Sequence, residues 1–317
     1  MKLKVLIPLM AIAMTFGWQA GAQIYDTNNE VVQTFAGSGF SGYLDGVGQL
    51  TMFNNPSKIV ADSSSNLFVG DGNSSSNYRI RKIAPDATVT TFAGGGGGSL
   101  PGYGTNVSLG GYGFGSMTID HSNTLWITTI YSSGYLLRIG SDAHVSITTS
   151  LTGLAGQGVA PGICVDSGNN IYYSTPTGNQ IYRWRTNGVL EVFASSGNSG
   201  ATDGNGVFTS FNNPSTLAAD AADNIYVWDS GNARIRRINQ NRDVVTIAGL
   251  HSGNFDGNGT NTGFNTISAM CSDNSGNIYF ACGTSIRKMD AATNVVTMAG
   301  SFTQSGYTNG KIGRAHV

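Results

Sequence analysis

Apolar and polar positions alternate along most of the chain in short runs bounded by Gly, Asn, Asp and Ser. One pattern recurs five times. An apolar run ends in Asp, and four residues later a polar residue opens an alternating apolar strand. It reads Ile59-Val60-Ala61-Asp62 to Asn66-Leu67-Phe68-Val69, then Met117-Thr118-Ile119-Asp120 to Thr124-Leu125-Trp126-Ile127, then Ile163-Cys164-Val165-Asp166 to Asn170-Ile171-Tyr172-Tyr173. The fourth copy is Leu217-Ala218-Ala219-Asp220 to Asn224-Ile225-Tyr226-Val227, and the fifth Met270-Cys271-Ser272-Asp273 to Asn277-Ile278-Tyr279-Phe280. Period-two alternation rich in β-branched and aromatic residues predicts two strands around a tight turn. Each copy continues into a third strand with a basic residue, as in Arg79-Ile80-Arg81-Lys82-Ile83 and Arg234-Ile235-Arg236-Arg237-Ile238. A fourth strand closes most copies, as in Val89-Thr90-Thr91-Phe92-Ala93, and is more divergent in the second, over Val145 to Thr149. Successive motif aspartates lie 46 to 58 residues apart. Four short strands at this period predict a β-propeller blade. One such sheet cannot bury both faces alone, so neighbours must stack around an axis.

The repeat resembles that of the NHL-repeat family. The fourth copy carries the likeness best, with Pro214, Asp220, Asn224-Ile225-Tyr226-Val227, Asp229, Asn232 and Arg234-Ile235-Arg236-Arg237. The likeness spans about residues 31 to 310. It implies a six-bladed, all-β propeller of a kind used for protein or RNA binding, sensing and some lyase-like chemistry.

Three segments depart from the repeat. Met1-Lys2-Leu3-Lys4, an apolar stretch from Val5 to about Phe16 and Ala20-Gly21-Ala22 form the three parts of a signal peptide. Cleavage after Ala22 is expected, giving an exported protein in the periplasm, on the cell surface or outside the cell. Val31-Val32-Gln33-Thr34-Phe35-Ala36-Gly37 reads as a fourth strand without its preceding three, as in propellers closed by an N-terminal strand. A loop template runs from Asp45-Gly46-Val47-Gly48 to Phe53-Asn54-Asn55-Pro56, from Asp203-Gly204-Asn205-Gly206 to Phe211-Asn212-Asn213-Pro214, and from Asp256-Gly257-Asn258-Gly259 to Phe264-Asn265. The Asp-to-Phe offset is eight in all three. Asn309-Gly310-Lys311 opens a fourth copy, and Ile312-Gly313-Arg314-Ala315-His316-Val317 then leaves the template. Those six residues are what a common sequencing-adapter read-through encodes. The expected organisation is therefore a signal peptide over 1–22, an NHL-repeat propeller over 23–311 with its last blade truncated (five blades plus the closing strand visible), and an artefactual tail over 312–317.

Composition narrows the function. The 317 residues include 45 glycines, roughly twice ordinary usage, and only 11% are charged against an ordinary ~25%. Hydrophobic residues make up 40%, enough for a core. A net charge of −1 offers no basic surface for nucleic acid, and no membrane contact is expected once the signal is cleaved. Cys164 and Cys271 hold equivalent places in different repeats and are expected as buried free thiols, while Cys271 and Cys282 lie close enough in sequence to leave pairing open. Outside the tail the histidines are His121, His144 and His251, and the glutamates are Glu30 and Glu191; none recurs between blades. A catalytic or metal site needs several such groups to converge, so no catalytic residue, metal ligand or cofactor is assigned.

The repeat aspartates Asp62, Asp120, Asp166, Asp220 and Asp273 are expected to shape the turn between the first two strands. Asp71 and Asp229, ending second strands, are expected to pair with Arg79 and Arg234 across the hairpin. Each Asp-Gly loop offers one carboxylate, which suits a tight turn better than calcium. Gly94 to Gly98 reads as a flexible connector. Aromatic and amide side chains on fixed loops suit a glycan or polypeptide. The loop-borne candidates are Asn54, Asn55, Tyr131, Asn212, Asn213, Asp229, Asn232 and Asn265, with Tyr43, Tyr103 and Tyr112 beside them. The function expected is a monomeric, non-catalytic binding module for protein or carbohydrate. The alternatives are a propeller hydrolase or lyase with an axial metal, and a structural spacer of a larger surface protein.

Overall fold

A computed structural model describes residues 31–32, 34–72, 78–112, 114–129, 134–150, 162–251, 253–301 and 310–311. The expected signal segment, Tyr131 and residues 312–317 lie outside them. The described residues fall into five four-stranded antiparallel meanders, one per sequence repeat. Blade 1 comprises Pro56–Ala61, Leu67–Asp71, Arg79–Ile83 and Thr88–Gly94; blade 2 comprises Phe114–Ile119, Leu125–Thr129, Tyr135–Ile139 and His144–Ser150. Blade 3 comprises Ile163–Val165, Ile171–Thr175, Gln180–Trp184 and Leu190–Ala194. Blade 4 comprises Pro214–Ala219, Ile225–Asp229, Arg234–Ile238 and Asp243–Ala248, and blade 5 Ile267–Ser272, Ile278–Cys282, Ser285–Met289 and Asn294–Gly300. Blades 1 and 2 belong to one compact unit and blades 3 to 5 to a second. No described helix is long and apolar enough to cross a membrane.

Within each unit the core lies between consecutive sheets. Phe68, Ile80 and Ala93 of blade 1 pack with Met117, Ile127 and Leu137 of blade 2. In the second unit Cys164, Tyr172 and Phe193 of blade 3 meet Leu217, Ile225 and Val227 of blade 4, and Tyr226 and Trp228 of blade 4 meet Met270 and Phe280 of blade 5. Second strands therefore bury both faces: Leu67–Asp71, Leu125–Thr129, Ile171–Thr175 and Ile225–Asp229 are buried at every residue. All three cysteines are free and buried. Cys271 stands opposite Tyr279 and Cys282 opposite Ile267 in the same hairpin, so register keeps the two thiols apart.

The repeat aspartates tie the first turn of each blade. Asp220 Oδ1 accepts from the Ala222 and Asn224 backbone N–H groups at 2.9 Å each, and Oδ2 accepts from Asn224 Nδ2 at 2.8 Å and the Tyr226 hydroxyl at 3.0 Å. Asp273 repeats this with Ser275, Asn277 and Tyr279. Asp166 takes Asn170 and Tyr172, Asp120 takes Ser122, Thr124 and the Trp126 indole N–H, and Asp62 takes Ser64 and Asn66. The donor six residues after the Asp is therefore part of the motif in four blades. In blade 1 that place is Phe68, which packs edge-on against Phe92.

A short strand from each incoming loop adds to the outer edge of the fourth strand. Gly46–Val47, Gly102–Tyr103, Gly204–Asn205 and Gly257–Asn258 do so in blades 1, 2, 4 and 5. The glycine faces a valine each time, Val89, Val145, Val244 and Val295 respectively. Gly310–Lys311 pairs with Val31–Val32 in the same register, Gly310 opposite Val32.

In blades 1, 4 and 5 the middle residue of the third strand is an arginine with a fully buried side chain. Arg236 donates to Asp229 Oδ2 at 3.0 Å, Asp203 Oδ1 at 2.7 Å and the Ser210 and Thr202 carbonyls, and lies 4.9 Å from the Phe211 ring centroid. Arg81 makes the same set with Asp71, Asp45, the Met52 and Leu44 carbonyls and Phe53. Arg287 takes Asp256, the Gly263 and Phe255 carbonyls and Phe264, with Cys282 Sγ where the other blades carry the inner Asp. Each outer Asp also accepts from the facing threonine, Thr91, Thr246 or Thr297. Blade 2 replaces the whole group. Pro101, Leu109, Leu137, Ile147 and Thr129 stand where blade 1 has Asp45, Phe53, Arg81, Thr91 and Asp71.

Asp71 does stand opposite Arg79, and Asp229 opposite Arg234. The ion pairs form instead with Arg81 and Arg236, two residues further along the same face. Those arginines are the ones buried beneath the loop, where an unpaired charge would be costly.

Removing one partner should be worse than removing both. Arg236→Leu is expected to cost about 3–5 kcal/mol, because Asp229 stays buried and uncompensated. Adding Asp229→Thr, the residue type blade 2 uses, should recover roughly half in urea unfolding; a double variant no more stable than the single one would refute this. In the first turn, Tyr226→Phe should cost about 1 kcal/mol, and Asp220→Ala about 2–3 kcal/mol because it leaves several donors unmet. Equal losses for the two would contradict the bonding described.

Candidate functional site

The loops entering the first strands and those joining second to third strands share one end of each blade. In blade 1 the Asp71 carboxylate sits beneath the incoming loop and accepts the Asn54 N–H at 2.6 Å. Asp229 holds the Asn212 N–H of blade 4 at 2.7 Å in the same way. Burial pushes both carboxyls above the usual carboxylate range, and the bonds from the Asn N–H groups and from Arg81 or Arg236 pull them back part of the way. The loops are thus pinned from below by groups that no ligand reaches.

The predicted residues divide accordingly. Asp229 lies fully inside the blade and supports the loop. Asn232 turns inward too, its Nδ2 donating to Asp229 and to the Gly200 carbonyl. Asn54 spends its amide within the loop, donating to the Tyr43 hydroxyl at 2.8 Å and accepting from Ser41 Oγ at 3.0 Å. Asn265 is exposed and accepts from the Gly253 N–H. Asn55 and Asn213 are exposed at the loop tips with left-handed backbone, φ 66° and 56°, which Asn tolerates better than most residues. The side chains of Asn55, Asn212 and Asn213 make no hydrogen bond among the described residues. Tyr103 is not on this end; it lies on the short edge strand of blade 2, its ring 4.6 Å from that of His144.

Arg79 and Arg234, which the hairpin pattern pairs with Asp71 and Asp229, play a different part. Arg79 and Arg234 open third strands, are half-buried and form no ion pair among the described residues. Arg79 stacks on the Tyr43 ring at 3.9 Å. The Nε atom of each is buried with no acceptor. The signal was present as the first Arg of each Arg-Ile-Arg strand, but sequence does not say which of two arginines two apart takes the carboxylate.

The glycine run is also not a loose connector. Gly96 and Gly98 N–H groups donate to the Val107 and Asn106 carbonyls at 3.0 and 2.9 Å. A Cβ on Gly95 would meet Arg79 Nε at 2.3 Å, and one on Gly96 would meet the Thr105 carbonyl oxygen at 2.4 Å. Glycine is needed there for close backbone approach. Among the described residues no three His, Cys, Asp or Glu side chains gather as a metal set.

Comparison with known proteins places the fold. No protein-family model and no curated protein matches the chain. Among solved structures it is similar to a Bacteroides thetaiotaomicron protein of unknown function, at 16% identity and TM-score 0.68 over 90% of this chain and 68% of that one. It is similar to an auxiliary nutrient binding protein from Bacteroides ovatus, at 15% identity and TM-score 0.63 over 90% and 69%. It is also similar to a gluconolactonase from Xanthomonas campestris, at 14% identity and TM-score 0.54 over 78% and 76%. Identities this low speak for fold alone, and the fold is an all-β propeller with five blades among the described residues.

Proposed function

We propose that the chain is an exported, non-catalytic propeller that binds a polar ligand, carbohydrate or polypeptide, through the loop ends of its blades. The observation that carries this reading is the pinning of those loops. Asn55 and Arg79 in the first unit, and Asn212, Asn213 and Arg234 in the second, present amide and guanidinium donors on backbone already fixed by the buried Asp–Arg groups. Preorganised donors lose little ordering entropy when they bind. Asn265 belongs with the second unit's set, and Tyr131, outside the described residues, is kept as an expected contact. The likeness to a nutrient-binding propeller supports binding, and the likeness to a gluconolactonase is the ground for a hydrolase reading, for which the described residues offer no converging acid–base set.

The NHL-type, six-bladed assignment is part of the proposal. Its support is register: Val32 faces Gly310 as the fourth-strand valines of four blades face the glycine of their incoming loop. On this reading Val31–Gly37 is the outer strand of a sixth blade.

The test is a glycan array and a peptide library probed with the mature chain. Saturable binding to a polar ligand is expected, weakened at least about tenfold by Arg79→Ala or by Asn212→Ala with Asn213→Ala. A screen without hits above background, or hits indifferent to all these substitutions, would overturn the proposal.

A further inference from the structure

At the other end of the blades, blade 3 carries a charge cluster found in no other blade. Glu191 lies on its fourth strand. Its Oε1 accepts from Arg183 Nε at 2.8 Å and Nη2 at 2.6 Å, and from Arg185 Nε at 2.7 Å. Its Oε2 accepts from Arg242 Nη2 at 2.8 Å. Arg242 comes from the turn between the third and fourth strands of blade 4, and its backbone is left-handed at φ 68°. The guanidiniums of Arg183 and Arg242 both lie over Phe193, at 4.7 and 5.5 Å from its centroid. Partial burial opposes ionisation of Glu191, but the bonds from Arg185, Arg183 and Arg242 outweigh it and hold its carboxyl down to about 2. Three cations therefore share one permanent anion.

The repeat supplies its own control. Arg183 faces Glu191 in the ladder; the equivalent pairs are Lys82 with Thr90, Arg138 with Ser146, Arg237 with Val245 and Lys288 with Val296. The place of Arg185 holds Ala84, Gly140, Asn239 and Asp290, and the place of Arg242 holds Ala87, Ala143, Gly188 and Thr293. The turn has the same backbone bonds in all five blades. A blade thus folds without Glu191, Arg185 or Arg242, yet these three departures from the repeat meet at one spot. The spot also has open donors. A guanidinium carries five N–H donors, and both terminal nitrogens of Arg185 have no acceptor among the described residues. The side chains of Arg185 and Arg242 are 42% and 32% exposed.

We propose that Arg185 and Arg242, spaced by Glu191, form a binding site for a doubly charged tetrahedral oxyanion, a sulfate or phosphate group. The net charge of the cluster matches a dianion, and planar guanidiniums present paired N–H groups to such oxygens. The site is separate from the asparagine-bearing loop ends and stands or falls independently of them.

The experiment is isothermal titration of the full chain with sodium sulfate, sodium phosphate and sodium acetate at matched ionic strength. Saturable one-site binding of sulfate or phosphate is expected, the tighter of the two identifying which ester a natural ligand carries. Arg185→Ala should weaken it at least about tenfold. Arg185 makes a single bond and is the most exposed of the three arginines, so this variant should keep the wild-type melting transition and isolate the binding effect. Arg138→Ala, a basic residue at the equivalent of Arg183 in a blade without the cluster, should bind as wild type does. Absence of saturable binding, equal affinity for acetate, or unchanged affinity in Arg185→Ala would each overturn the proposal and leave the cluster as a tie between two blades.

Discussion

A guanidinium cut off from water has to be met by acceptors on every side, and three blades here are organised around that requirement. Arg81, Arg236 and Arg287 each reach up from the third strand into the loop that enters the first strand of the same blade. They collect two backbone carbonyls, the loop carboxylate and the face of a phenylalanine. The loop has no regular structure apart from a two-residue strand and a single 3₁₀ turn. The arginine fastens this loop to its blade but does not alone set its path, since blade 2 forms the same short strand and 3₁₀ turn without one. Blade 2 shows that the apolar solution also works when every member changes together, with Leu137, Leu109, Ile147 and Pro101 in place of the polar set. Blade 5 keeps Arg287 and the loop carboxylate Asp256 with Cys282 in place of the inner Asp, so each buried guanidinium retains at least one carboxylate, as expected where a lone buried charge costs several kcal/mol.

This division explains how much of the fold was legible. The five aspartate turns could be read from spacing alone, because the bonds that make them are local: Asp220 serves Ala222, Asn224 and Tyr226, all within six residues. The buried ion pairs were harder. Asp71 has Arg79 directly opposite it and Arg81 two residues on, and alternation puts both on one face. Only the position of the incoming loop, some thirty residues away in sequence, decides between them. The glycine run failed for the same reason. Gly95 and Gly96 look like a linker until Arg79 and the Thr105 carbonyl are seen packed against them.

Which loop residues display their side chains was only partly legible. Asn54, Asn232 and Asp229 carry polar side chains at the loop end expected from the sequence, yet their hydrogen-bonding capacity is spent inside the protein. Asn55 lies one residue beyond Asn54, yet it and Asn213 are exposed with left-handed backbone. Composition cannot distinguish an amide that builds a loop from one that the loop displays. The arginine cluster around Glu191 had a different signature. It is invisible as a motif, because its members break the repeat, and it emerges once each is compared with its counterparts in the other four blades.

The paired glycine and valine at the outer rim bear on solubility. A fourth strand with nothing beside it is a template for another chain's backbone, and many β proteins protect such edges with lysines or prolines. Here Gly46–Val47, Gly102–Tyr103, Gly204–Asn205 and Gly257–Asn258 occupy the hydrogen-bonding groups at one end of that strand with the chain's own linker. A rim guarded partly by backbone relies less on charge. In a chain with 11% charged residues and a sheet-rich fold, mutations that loosen the linker, such as replacement of Gly204 at φ 150°, would then expose strand edge more than they would unmake the blade.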